Sequence, residues 1–473
     1  MSQTQFLLLL LAIIPIANCI IFSIFYDNQV INNIINKASS ILFFAPLIGL
    51  CGGLSYSDNL VFNTKINEIS LVIAIDKITI NFLWLLGFLW IILNFYSHRF
   101  STLSKDENIN SLKFFLSVII SILTLLILSK NLVSWFLFYS ILLFLLKFFA
   151  EKFLYKKRDI FSQIFNLIFT LQSFAFFLAI FLTYNFTKNL DFIDLNNLSY
   201  EKTLLLIFLY SFALFAFILA PFYLIFYRFN VELIFIYLFC FLSYALPVLC
   251  LLTKFQFLPK NIDRFMVIFI ELIFLANIAI SSLFLIFSKT IKTSFLHIFF
   301  QQLVFAIFAI FIFTLHDKTK IYFPTISFGL NISLFFVLIS NLALYLNNSK
   351  DKDIIGIFYK MRINGILMLF CLASLIGAAP SISTIQNLSL MKIATNNHLF
   401  LPKIILTLYY LSLIIFSFKL LYPLLSPNSL DKSPEDLDLI NQIESDSSLI
   451  LAPTILALSL ILSLIFSSFL IYG

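Results

Sequence analysis

Apolar residues in this chain come in long unbroken runs separated by short polar joints. Runs of about 18 to 25 residues, enough for a helix to cross a bilayer, fall at roughly 5–25, 39–56, 78–96, 111–129, 132–149, 163–185 and 203–227. They continue at roughly 232–253, 265–288, 294–315, 323–346, 363–380, 401–425 and 448–471. The pattern predicts an all-α integral membrane protein of about 14 transmembrane helices. Its single polytopic domain over 1–473 divides into peripheral helices over 1–110, a core over 111–425 and a last helix over 448–471. The second run is short and holds Gly49, Gly52 and Gly53, while the twelfth ends at Gly377 and Pro380. Between Asp431 and Asp446 lies the one sizeable polar insertion, read as an exposed loop entering the last helix.

Within this pattern, Thr203 to Leu252 forms two neighbouring runs, each with an interior proline, Pro221 and Pro247, joined at Arg228 and Glu232. Proline removes a helix hydrogen bond, which lipid tolerates only where another group satisfies the freed carbonyl. Paired breaks fit a transporter-like centre. They equally fit the ordinary frequency of proline in membrane helices.

Composition agrees with the pattern. The chain is 61% hydrophobic and 11% charged, against roughly a quarter charged in soluble domains. Its net charge of +7 is spread over many joints and forms no nucleic-acid patch. Basic residues cluster after odd-numbered runs, as at Lys152, Lys156, Lys157 and Arg158, which places those joints in the cytoplasm or matrix and both termini outside. Cys19, Cys51, Cys240, Cys250 and Cys371 lie in apolar runs without a CxxC pair, and the four histidines are scattered, so no metal centre is expected. The N-terminal run lacks a basic leader and is read as a retained helix rather than a signal peptide.

Several stretches resemble the antiporter-type membrane subunits of respiratory complex I and of Mrp-type sodium/proton antiporters. Ile75 to Arg99 is similar to a third helix opened by an Asp, here Asp76, and closed by a Tyr-Ser pair, here Tyr96-Ser97. Asn131-Leu132 resembles the opening of the fifth helix, Ala220-Pro221-Phe222 the break of the seventh, and Lys292 within Ser288–Gln302 the start of the tenth. Ser374 to Ser383 resembles a Gly-x-Pro-Pro turn of whose proline pair Pro380 alone is kept. These motifs follow one another in the family's order over nearly the whole chain. The resemblance implies an inverted-repeat antiporter-like fold with proline-broken helices.

It also implies a mid-membrane line of ionisable groups, because a proton crosses hydrocarbon only by hopping between side chains and water. Set against that line, this chain is a diverged member. The fifth-helix Glu falls on Ser140 and the seventh-helix Lys on Ala216. The eighth-helix base falls near Leu246 and Pro247, the eleventh-helix Lys near Asn331, and the twelfth-helix group near Asn387. Removing one partner of a buried ion pair costs about 3–5 kcal/mol, whereas removing both can be neutral. Joint loss is therefore what a site without demand for charge would show.

Other ionisable residues lie at depth. Glu271 is read either as a proton carrier or as a neutral, hydrogen-bonded carboxyl. Lys147 shares a helix face with Glu151 and can snorkel to the interface, and Glu232 lies one turn from Arg228. Lys292 fits the positive-inside pattern, and His297 continues toward Gln301 and Gln302 as a polar line. Glu271, Lys292, His297, Lys147 and Glu232 are the proton-path candidates; Pro221, Pro247 and Pro380 are the expected helix breaks. No haem, flavin, quinone or iron–sulfur ligand set is evident, so no cofactor is expected.

Two functions are consistent with these residues. One is a membrane subunit of a proton- or cation-translocating complex, Mrp-type or a complex I-like NADH:quinone oxidoreductase. The other is a structural subunit that has lost its relay. Expected partners are other membrane subunits and the lipid bilayer. The expected location is a bacterial inner membrane or, alternatively, the mitochondrial inner membrane.

Overall fold

The computed structural model describes residues 3–26, 28–53, 60–66, 69–104, 109–153, 160–187, 238–255, 264–288, 290–348, 361–378, 380–425 and 447–465, with isolated positions between 202 and 209. The first helices are α1 (Gln3–Ile24), α2 (Gln29–Leu42) and α3 (Phe44–Gly53), followed by strands β1 (Leu60–Ile66) and β2 (Ile69–Ile75). Next come α4 (Lys77–Ser104), α5 (Ile109–Leu128), α6 (Leu132–Phe153) and α7 (Ile160–Thr187). A π-helical turn, Leu238–Ala245, leads into α8 (Leu246–Phe255). Then follow α9 (Arg264–Phe287), α10 (Ile291–His316), α11 (Phe323–Asn348), α12 (Arg362–Ile376), α13 (Ile382–Asn396), α14 (Phe400–Leu425) and α15 (Ser447–Ile465). Among the described residues, six helices are long and apolar enough to cross a membrane, α9, α10 and α14 among them. The chain is a multi-pass, essentially all-α membrane protein, with one small β-ribbon among the described residues.

That ribbon was not expected. β1 and β2 pair antiparallel from Leu60↔Ile75 to Ile66↔Ile69. Two seven-residue stretches rich in Val, Ile and Thr, separated by the polar pair Asn67-Glu68, carry a hairpin signature. A search tuned to membrane-length runs passes over it. Asp76 then opens α4 as the motif implied, its carboxylate accepting from the Thr79 amide at 2.6 Å. The helix does not stop at Tyr96-Ser97 but runs on to Ser104.

The chain divides into two compact units, Met1–Ser97 with Asp106–Asn261, and His98–Lys105 with Ile262–Gly473. In the first unit, α1 packs on α2, α3 and α5, and α6 lies between α5 and α7. Helix α2, capped by Asn28, lies mostly between the runs expected at 5–25 and 39–56, because Asn32, Asn33 and Asn36 interrupt the apolar pattern. Here the polar face turns inward and the apolar face outward: Asn32 and Asn36 are buried, while Val30 and Ile34 are 68% and 63% exposed. Inside, Asn18 of α1 donates to Asn36 Oδ1 (2.8 Å) and Ser117 Oγ (3.2 Å). Asn94 of α4 donates to the Asn36 carbonyl at 3.0 Å, and Lys113 Nζ reaches Asn33 Oδ1 at 2.8 Å. These amides pin four helices together. Nearby, Gly87 allows close approach of the phenyl rings, since a Cβ there would lie 2.8 Å from Phe43 Cδ1.

In the second unit, α10 and α11 form the middle. Of the residues in their most apolar stretches, 94% and 89% are buried, against 28% for α9. Helix α9 packs on α10 and α14, and α11 on α10, α12, α13 and α15. Helices α12 and α13 have 15 residues each, about 22 Å of rise, so neither alone spans a hydrocarbon layer of ~30 Å. They are two half-helices around a joint at 377–381. The second, α13, falls between the runs expected at 363–380 and 401–425, because its Ser, Thr, Gln and Asn residues interrupt the apolar pattern.

Asn36→Ala removes the Oδ1 that accepts from Asn18 and Ser117 but keeps the backbone carbonyl that accepts from Asn94, and should destabilise the fold by about 1–3 kcal/mol. Thermal unfolding in detergent measures this; an unchanged midpoint would show that Asn18 and Ser117 are satisfied without the Asn36 side chain.

Candidate ion-path centre

The half-helix joint starts at Gly377, which ends α12 in the left-handed conformation, φ 88°. The Gly377 amide donates to the Ser374 carbonyl and the Ala378 amide to the Ala373 carbonyl, satisfying carbonyls at the helix end. Asn387 of α13 lies against this turn: a Cβ at Gly377 would sit 1.8 Å from its Nδ2. That amide donates to the Ile376 carbonyl at 3.4 Å, and Tyr409 OH of α14 approaches the Leu375 carbonyl at 3.5 Å. Pro380 falls in a bend within the joint.

Beside the joint, neutral side chains from three helices meet. Asn331 of α11 donates to Ser383 Oγ of α13 at 2.7 Å and accepts from Ser374 Oγ of α12 at 2.6 Å. Ser327 donates to Ser383 at 3.0 Å. All four are buried. Small hydroxyls let the helices approach, and each bond replaces a water that lipid cannot supply. Asn331 uses both ends of its amide and titrates at neither.

Ser327, Asn331 and Ser383 of this cluster line a small cavity together with Gln302 and Phe305 of α10, Gln386 and Asn387 of α13, and Tyr409. Gln302 and Asn387 are 5% and 7% exposed, and neither Gln302 Nε2 nor Asn387 Oδ1 has a hydrogen-bond partner. A donor and an acceptor thus border one cavity. Phe305 and Tyr409 close another side, their rings stacked at 3.7 Å. Along α10 the polar face continues through Gln301, which donates to Ser282 of α9 (3.0 Å) and Ser412 of α14 (2.5 Å). One turn earlier is buried His297, stacked on Phe284 at 5.6 Å. Toward the start of α10, Ser288 and Ser294 share a 2.8 Å hydrogen bond.

The structure therefore sets Gln302 beside Asn331 and Asn387, the positions assigned to the eleventh- and twelfth-helix charges, whereas His297 and Gln301 on the same helix meet Phe284 and Ser282 of α9 and Ser412 of α14. Glu271 is apart from them. It is buried on α9 and its Oε1 has no partner, but it lies three turns from Ser282, about 16 Å along the helix. Lys292 falls in the first turn of α10 and Lys147 in α6, and both side chains lie outside the described residues. Glu232, Pro221 and Ala216 also lie outside them. Pro247 is the second residue of α8, where π-helical winding gives way to α. Ser140 is half-buried in α6. Its neighbour Tyr139 stacks on Trp135 at 4.6 Å and accepts from Gln172 at 3.2 Å.

No family model matches the chain, and no curated protein matches it in sequence. Solved structures do match in fold. A chain from "Structure of Mrp complex from Dietzia sp. DQ12-45-1b" aligns over 100% of this chain and 96% of its own, with TM-score 0.76 and 12% identity. This chain has an Mrp-complex subunit fold. A second match, from the structure of the membrane-bound sulfane sulfur reductase, an archaeal respiratory membrane complex, covers 96% of this chain and 75% of its own, with TM-score 0.75 and 16% identity. At such identities the likeness establishes the architecture, and the motif-based resemblance gains a full-length structural counterpart.

Sequence reasoning missed Ser327, Ser374, Ser383 and Gln386, since serines and a glutamine on apolar helices carry no charge signal. The available signal was the polarity of α13 itself. Gly377→Ala should cost more than the ~1–2 kcal/mol of a strained left-handed residue, because the methyl also displaces Asn387. In the double variant Gly377→Ala/Asn387→Ala the excess should disappear, as read by thermal unfolding. Equal losses in single and double variants would put the whole cost on the backbone.

Proposed function

We propose that the chain is a membrane subunit of a multisubunit proton- or cation-translocating assembly, with other integral membrane subunits as its partners. The full-length fold match to a chain of an Mrp complex carries this reading. The same match supports a bacterial inner membrane as its site.

In this subunit the path runs through the neutral centre at the α12–α13 joint. One water in the cavity, donating to Asn387 Oδ1 and accepting from Gln302 Nε2, satisfies both buried groups. Hydroxyls of Ser327, Ser374 and Ser383 extend that contact toward Asn331. Such a centre orients water and stabilises a passing cation by dipoles, but it stores no proton of its own. Of the ionisable candidates, His297 stands nearest in sequence, five residues before Gln302 on α10. Glu271 lies outside this line.

The test is made in the assembled complex reconstituted in vesicles. Asn387→Leu and Gln302→Leu are each expected to reduce ion flux at least about tenfold, the rate equivalent of ~1.4 kcal/mol, while partner subunits still co-purify. Glu271→Gln should leave flux within about twofold, a barrier change well under 1 kcal/mol. Undiminished flux in both leucine variants excludes this path, and a chain that purifies without partners excludes the assembly.

A further inference from the structure

Two helix joints, one in each unit, are built alike down to single hydrogen bonds. In the first unit α5 passes into α6 through Leu126-Ile127-Leu128-Ser129-Lys130-Asn131; in the second α9 passes into α10 through Leu285-Ile286-Phe287-Ser288-Lys289-Thr290. The Ser129 amide donates to the Leu126 carbonyl at 3.2 Å and the Ser288 amide to the Leu285 carbonyl at 3.3 Å. Asn131 caps α6 by accepting from the Ser134 amide at 2.9 Å, and Thr290 caps α10 by accepting from the Thr293 amide at 3.2 Å. Ser134 Oγ donates back to the Asn131 carbonyl (3.2 Å), as Thr293 Oγ1 does to the Thr290 carbonyl (2.8 Å).

Each joint also receives a lysine from a later helix of its own unit. Lys254, near the end of α8, donates through Nζ to the Ile127 carbonyl and to the Ser129 carbonyl at 3.0 Å. Lys419 of α14 donates to the Ile286 carbonyl at 2.7 Å and to the Ser288 carbonyl. The accepting carbonyls are the same two positions in both joints. A helix end has carbonyls without intrahelical partners and a partial negative charge, and in lipid they need a donor from the protein. Charge-assisted bonds to such oxygens are stronger than neutral ones.

We propose that each joint is a carbonyl cradle for one ammonium-sized cation, filled in the intact protein by Lys254 or Lys419, and that these two lysines are positioning residues fixing α6 and α10 at their starts. For α10 the consequence is functional under the reading above, because this helix carries His297, Gln301 and Gln302. The cradle itself depends only on the geometry of the joints.

Hydrogen–deuterium exchange on the purified protein tests it. Lys254→Ala should lose protection over amides 126–134, and Lys419→Ala over 285–293, each by about ten- to hundredfold and each in its own joint only. Methylammonium chloride should restore protection, because its ammonium fits the emptied cradle and carries N–H donors. Tetramethylammonium chloride at the same concentration should not. Lys254→Met and Lys419→Met keep the hydrocarbon stem, so they should lose protection and resist rescue. Protection retained in the methionine variants overturns the proposal in favour of stem packing. Protection unchanged in the alanine variants, absent rescue, or equal rescue by both salts overturns the cradle. None of these outcomes depends on ion flux, so the result is separate from the fate of the proposed path.

Discussion

Hydrocarbon offers a polar group no partner, so every amide, hydroxyl and helix-end carbonyl inside this protein has to be satisfied by another part of the chain. That constraint accounts for more of the structure than apolar burial does. Side chains facing lipid gain little from being buried instead, as the exposed Val30 and Ile34 of α2 show. What selects one packing among many is the set of places where a donor meets an acceptor: Asn18 with Asn36, Asn331 with Ser383 and Ser374, Gln301 with Ser282 and Ser412. Each ties one helix to another, and the bond from Gln301 to Ser412 reaches from α10 to α14. Pairing errors there leave groups stranded, at about 1–3 kcal/mol each.

The same constraint explains what could and could not be read from sequence. Long apolar runs announce helices, whether largely exposed like α9 or enclosed like α10 and α11, and α1, α9, α10, α11 and α14 fall close to where the pattern puts them. Helices α2 and α13 do not announce themselves, because their asparagines, serines and glutamine serve as interior contacts while resembling loop residues in a hydropathy profile. Asp76 was legible, since an N-cap acts through its own local geometry. The ribbon of β1 and β2 was hidden by its shortness.

At the centre, sequence comparison showed where charge is missing but not what stands in its place. The resemblance puts Asn331 and Asn387 at positions where antiporter-type subunits carry titrating groups. Only the fold brings them beside Ser327, Ser374, Ser383 and Gln302, because these residues come from α10, α11, α12 and α13. Replacing ammonium and carboxylate by amide and hydroxyl removes the desolvation cost of charge and the need for counter-ions. Under the proposed path, the dipoles that remain orient water without storing a proton. Gly377 supports this exchange structurally: its left-handed turn ends α12 and leaves room for the Asn387 amide.

A density map of the assembled complex, at a resolution that shows ordered water, tests the neutral centre most directly. The account predicts a water bridging Gln302 and Asn387, with further density leading toward His297 along α10. A closed, anhydrous cavity with the two amides bonded to each other, or a water path running instead through Glu271, would contradict it.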